Sequence, residues 1–144
     1  MDESKPYPGP TQFSGHYYQM TPKHHGVGGP SASRWDVSPD DEFRVFDTGD
    51  FYRIVDYKGK VYGVWKVGEE LRSLGTFDQV VAIFYPPSPP DRWHGHPLFP
   101  VRSAAPSVMK RQRMKPSKQV LELLEVAELV THVQRKRLAK GDHP

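Results

Sequence analysis

The chain contains no cysteine. Disulfides, thiolate nucleophiles and cysteine-ligated zinc are therefore excluded, while the redox compartment stays open. No apolar run approaches the roughly 18 residues that a membrane-spanning helix requires. The opening Met1-Asp-Glu-Ser, followed by prolines, is acidic where a secretion signal would be cationic and then apolar, so a cytoplasmic protein is expected. Catalytic signatures are equally scarce. There is no Gly-rich phosphate loop, dinucleotide fingerprint, His-Glu-x-x-His or Gly-x-Ser-x-Gly. The RNA-recognition, zinc-finger and leucine-zipper patterns are absent too. Nothing in the sequence requires a cofactor or a resident metal.

What is abundant is proline and glycine, 15 and 12 of 144 residues. They concentrate first in residues 1–40, which show neither a helical nor a strand period and read as an extended arm. Tyr7, Tyr17, Tyr18, His16, His24 and His25 interrupt that arm as aromatic anchors. The remainder, 41–144, reads as a single α+β domain with enough material for one modest core. Its parts are a sheet over 43–85, a proline-rich loop over 86–100 and a basic helical tail over 101–144.

The clearest local structure lies between Phe51 and Trp65. Two runs rich in aromatic and β-branched residues flank Asp56-Tyr-Lys-Gly59, the pattern of a hairpin. A type I turn with Gly59 at positive φ sets Asp56 opposite Lys60. Counting outward pairs Val55 with Val61, Ile54 with Tyr62, Tyr52 with Val64 and Phe51 with Trp65. Both resulting faces are apolar, so each needs a cover, or the sheet curls into a partly closed barrel. Phe43-Arg-Val-Phe46 reads as a preceding strand, turned by Asp47-Thr-Gly-Asp50. Residues 68–76 fit a helical turn or an edge strand. Residues 79–85 carry no charge and read as a buried central strand, stopped by Pro86 and Pro87. The sum is a twisted antiparallel meander.

Residues 86–90 favour polyproline II, and Asp91–Pro100 is expected to cross as a loop. The tail then opens with a basic cluster, Lys110, Arg111, Arg113 and Lys115. Ser117 is a helix cap, and Val120, Leu123, Leu124, Ala127 and Val130 form an apolar stripe for one sheet face. One helix runs to Lys140, or Thr131 caps a second; Gly141 ends it. The arm, or the loop around Trp93, is left to cover the other face.

Charge is divided unevenly. Residues 1–100 hold 10 Lys/Arg against 13 Asp/Glu, net −3, whereas 101–144 hold 10 against 4, net +6. A cationic tail on an acidic body points to a polyanion or an acidic protein as partner. Lys110, Arg111, Arg113, Lys115, Arg135, Lys136, Arg137 and Lys140 are the candidate phosphate contacts. A second candidate is His94-Gly-His96 with Arg92. Two nearby imidazoles can serve as general base and acid, with Arg92 holding a phosphate, as in a metal-independent ribonuclease. An extended His-x-His also offers two ligands to a metal, with a third from His16, His24, His25 or a carboxylate. Pro86-x-x-Pro89 matches the bare pattern read by aromatic grooves. Tyr52, Tyr57, Tyr62 and Trp65 are rings on which bases stack, or core. The leading expectation is a non-enzymatic nucleic-acid-binding module that uses its tail and has no membrane association.

Overall fold

The computed structural model describes residues 10–20, 34–76, 78–87, 92–98, 116–142 and 144. They form an α+β fold of three helices and two small antiparallel sheets, and the larger sheet does not close into a barrel.

Helix α1 (Pro39–Phe51) begins at a strong start signal. The Ser38 hydroxyl accepts from Asp41 N–H at 3.2 Å, Pro39 occupies the first turn, and Asp40, Asp41 and Glu42 face the helix N-terminus. Phe43–Phe46, expected as a strand, lies inside this helix. Asp47-Thr-Gly-Asp50, expected as a turn, forms its last turns. The reason is tertiary. Val45 and Phe46 are fully buried, and Gly49 sits against strand β1 (Val61–Gly63) so closely that a Cβ there would fall on Tyr62's carbonyl oxygen. Gly63 answers from the strand, where a Cβ would fall on Val45's carbonyl oxygen. Two glycines one turn apart along the contact, one on each element, let helix and strand backbones approach directly, which outweighs the poor helix propensity of 47–50.

The helix consumes the first arm of the expected hairpin. Phe51 and Tyr52 belong to its end, so their pairings with Trp65 and Val64 do not form. The inner register holds. Val55 bridges Val61, Tyr62 N–H donates to Ile54 at 2.8 Å, Asp56 N–H donates to Lys60 at 3.0 Å, and Gly59 has φ +84°.

Strands β2 (Lys66–Val67) and β3 (Glu70–Leu71) make a separate two-stranded hairpin. Strand β4 (Ala82–Tyr85) is the centre of the main sheet, ordered β1-β4-β5. Strand β5 (His94–Pro97) corrects a further expectation, since its prolines predict a loop here. Leu98 N–H donates to Val81 at 2.8 Å, so the alternate residue Pro97 turns its nitrogen away from β4, where no donor is needed. The outer edge of β5 is met by the N-terminal segment: Gln19 N–H donates to Trp93 O at 2.8 Å and Trp93 N–H to Tyr17 O at 2.9 Å.

Each sheet face has its own core. On one, Val45 and Phe46 of α1 pack with Tyr18, Trp35, Leu74, Phe84 and Trp93. On the other, Ile54, Tyr62, Val64, Ile83 and Leu98 pack under helices α2 (Lys118–Val126) and α3 (His132–Ala139). The stripe Val120, Leu123, Leu124, Ala127 and Val130 supplies that cover. Ser117 and Thr131 are the two N-caps. All three helices end in the same way, the amide after the C′ residue returning to a carbonyl five residues back: Ile54 to Gly49, Leu129 to Leu124, Asp142 to Arg137. Gly141 fills the left-handed C′ position of α3, while Arg53 and Glu128 adopt it with φ 57° and 60°. Among the described residues no helix is long and apolar enough to cross a membrane.

Candidate nucleic-acid interface

Helix α3 is short, with one buried side chain, Leu138, so its position depends on its caps and neighbours. Gln134 N–H donates to Thr131 Oγ1 at 3.1 Å, and Thr131 N–H donates to Gln134 Oε1 at 2.8 Å, a reciprocal capping box. Gln134 Nε2 also donates to the Glu69 carbonyl at 2.8 Å, tying the helix to the β2–β3 hairpin. Four of the eight basic candidates are on or beside this helix. Arg135 is committed: its Nε donates to Glu125 Oε1, which also lies 3.3 Å from His132 Nδ1. The Arg135 hydrogen bond, helped by His132, holds the Glu125 carboxyl below its ordinary value. Lys136, Arg137 and Lys140 are exposed. Lys110, Arg111, Arg113 and Lys115 lie outside the described residues.

The histidine pair is brought onto the same side of the sheet as α3. In the β4–β5 register His94 faces Tyr85 and His96 faces Ile83, and Tyr62 of β1 also faces Ile83. Trp93 is buried in the opposite core, and the alternation around it sets Arg92 beside His94. Tyr85 sits between the imidazoles, each ring centroid 5.5 Å from its own, and the Lys60 ammonium lies 5.2 Å from that centroid. At the neighbouring turn Tyr62 donates to Asp56 Oδ2 at 3.0 Å. Burial raises the Tyr62 hydroxyl's pKa well above its ordinary value, reinforced by the hydrogen bond and charge of Asp56; burial raises Tyr85's too. Both phenols are therefore neutral donors at physiological pH.

The Pro97 carbonyl fixes the tautomer of His96. Its Nδ1 lies 2.8 Å from the Pro97 carbonyl, which can only accept, so Nδ1 carries the hydrogen. In the neutral ring Nε2 then accepts from the Tyr85 hydroxyl, 3.0 Å away. Both His96 nitrogens are engaged in bracing the sheet, and His94 stacks on Tyr85. Among the described residues no group of three His, Asp or Glu side chains is placed to hold a metal. His24, His25 and Pro89 lie outside the described residues, and His16 instead approaches Asp50 at 3.8 Å and packs on Trp93.

Sequence reading missed Lys60 and Tyr85 as members of this row. The available signal was the strand period: Tyr85 shares a face with Ile83, and a paired β4–β5 puts His94 opposite it. Of the suspected stacking rings, Trp65 is half-buried, Tyr62 is core, and Tyr52 and Tyr57 are exposed. Compared with protein-family models, with curated proteins and with solved structures, the chain matches none.

Proposed function

We propose that this protein is a non-enzymatic nucleic-acid-binding module whose basic tail contacts phosphates. The observation that carries the reading is the exposed cationic side of α3. Lys136, Arg137 and Lys140 project from a helix without a carboxylate of its own, and the neutralising partner Glu125 is taken by Arg135. Lysine and arginine so placed release counterions from a nucleic-acid backbone, which gives affinity without sequence preference. Arg92 and Lys60 lie on the same side of the sheet and add two further cations to it. An acidic protein would use the same cations, and is the competing partner. Cleavage by His94 and His96 is the weaker alternative, because His96 has neither nitrogen at liberty to move a proton.

The test is fluorescence anisotropy with labelled single-stranded RNA and duplex DNA, at low and raised salt, comparing the native protein with the variant Lys136→Gln, Arg137→Gln, Lys140→Gln. Three phosphate contacts on a single strand give a slope of log K against log salt of roughly −2, or about a 20-fold loss from ~50 to ~200 mM salt. The variant is expected to lose that slope and most of the affinity. Binding that survives both the substitutions and the salt would refute the proposal. Chelator-resistant cleavage of the RNA, lost in His94→Ala, would replace it with the ribonuclease reading.

A further inference from the structure

Arg44, Thr48 and Tyr52 recur every four residues and form one ridge along α1. The carboxylates of the helix's later turns lie off that ridge. Asp47 accepts from Gln12 N–H at 2.9 Å and from its Nε2 at 2.7 Å; Asp50 accepts from Ser14 N–H at 3.0 Å. Glu42 is buried against the Tyr18 hydroxyl. From Arg44 to Tyr52 the ridge thus carries a cation, a hydroxyl and an aromatic ring, and its acid, Asp40, stands one turn further back at the helix N-terminus.

Across from it stand Trp65, Lys66 and the α2–α3 junction at Glu128 and Leu129, enclosing a groove of about 480 Å³. That volume suits a small ligand. Arg44 lies over the Trp65 ring at 5.3 Å, with Arg72 at 4.2 Å from the same ring. Lys66 Nζ donates to the Glu128 carbonyl at 2.9 Å, which leaves two of its three hydrogens for a ligand. Helix C-termini border the groove, and free carbonyls there would repel an anion. Here Gly49 and Leu124 carbonyls accept from Ile54 and Leu129, so that repulsion is reduced. Glu128 is the one acid among the lining residues, an acceptor for an amino group.

We infer that this groove is a nucleotide-binding site. Arg44 and Lys66 take the phosphate, Tyr52 stacks on the base, Trp65 lines the wall behind Arg44, and Glu128 accepts from an exocyclic amine. The charge complementarity and the aromatic walls together select a planar anionic ligand over a bare anion. The ligand class rests on the nucleic-acid reading, and the same chemistry is presented by a free nucleotide and by one nucleotide of a single strand.

The experiment is ¹⁵N-resolved NMR of the full chain, with the Trp65 indole resonance identified by its loss in Trp65→Phe. Adenosine 5′-monophosphate, adenosine, inorganic phosphate and a short oligoadenylate RNA are titrated separately. The monophosphate is expected to move the Trp65 indole saturably, and Arg44→Gln or Tyr52→Leu to weaken it about tenfold, the loss of one charge-assisted contact or one stacked ring. Both residues are exposed, so the fold survives. Movement by the oligonucleotide as well assigns the site to a strand; movement by the monophosphate alone assigns it to a free nucleotide. An indole unmoved by either, or moved equally by inorganic phosphate, overturns the inference. RNA that shifts the Lys136, Arg137 and Lys140 amides without Trp65 leaves the tail reading intact and rejects the groove. The reverse pattern rejects the tail and keeps the groove.

Discussion

Replacing Gly49 by alanine tests the seat of α1 on the sheet, because two effects of opposite sign compete there. In an open helix the change stabilises by about 1 kcal/mol, through reduced backbone entropy in the unfolded chain. At Gly49 the new methyl falls on the Tyr62 carbonyl oxygen and within 2.9 Å of Val61 Cγ1. The carbonyl is backbone in a paired strand and cannot rotate aside. Helix α1 must therefore retreat as a body, loosening Val45 and Phe46, both fully buried. Overpacking of this kind costs roughly 1–3 kcal/mol, and the upper end applies when the obstacle is main chain. Subtracting the propensity gain leaves a net loss of about 2 kcal/mol. Urea denaturation followed by circular dichroism reads this as a midpoint lowered by about 1 M, for a slope near 2 kcal/mol per molar. Gly63→Ala meets Val45's carbonyl across the same contact and is expected to cost a similar amount. Once α1 has backed away for one methyl, the second costs less, so the double variant should lose clearly less than the sum. A Gly49→Ala protein as stable as the native one would refute the close approach, and additive losses would refute the shared displacement.

Three further outcomes follow from other parts of the molecule. Glu128 holds φ 60° at the end of α2, so Glu128→Gly should relieve left-handed strain worth about 1–2 kcal/mol, less about 0.5–1 kcal/mol for the entropy of glycine, and raise the thermal midpoint by about 2 °C; a lowered midpoint would contradict it. Tyr18, Tyr62 and Tyr85 all have pKa values raised in the folded state, chiefly by burial. The stability they contribute is complete below pH 10.0, their ordinary value, and is lost as pH climbs towards the raised folded values. Phenolate absorbance should therefore show three tyrosines that ionise only together with loss of the circular dichroism signal; ionisation of all three in a still-folded protein would count against the buried assignments. Thr131→Ala removes one half of the capping box of α3 and should cost about 1 kcal/mol, while Thr131→Ser is nearly neutral; equal stability of native and alanine proteins in urea would show that the cap contributes nothing.

Local chemistry made some elements legible in the sequence. Asp56 to Lys60 closes where turn residues require it, because Asp56 Oδ1 accepts from Lys58 N–H at 2.9 Å and Lys60 N–H at 3.0 Å. Ser117, Thr131 and Gly141 bound two helices whose apolar stripe could be counted. Helix α1 was misread because Phe-Arg-Val-Phe alternates like a strand, and Gly49 with Asp47 and Asp50 resembles a turn. The contrary signal, Ser38-Pro-Asp-Asp-Glu42, stood just upstream. What decided the matter was non-local: Gly49 against Tyr62 and Gly63 against Val45, and two carboxylates receiving the amides of Gln12 and Ser14. Strand β5 was hidden for a similar reason, since its proline is harmless only on the edge away from β4. The row of Lys60, Tyr85 and His94 was invisible to neighbour-based reading. It exists only once the strands are paired in register.

That register also grades one sheet face from interior to surface. Continuing the pairing one step beyond the strands aligns Val64, Val81 and Leu98, all buried beneath α2 and α3. The next row is Tyr62, Ile83 and His96, where polar tips begin. The last is Lys60, Tyr85 and His94, which is partly exposed. A polar row on an otherwise apolar face costs stability unless its groups are satisfied. Here Tyr85 and the Pro97 carbonyl take both nitrogens of His96, and Asp56 takes the Tyr62 hydroxyl. These bonds fix the row's side chains before any ligand arrives, as the capping box and the Gln134–Glu69 bond fix α3. A surface already ordered loses little entropy on binding. On the proposed reading, three exposed cations and a braced row would meet a phosphate backbone without an induced change of fold.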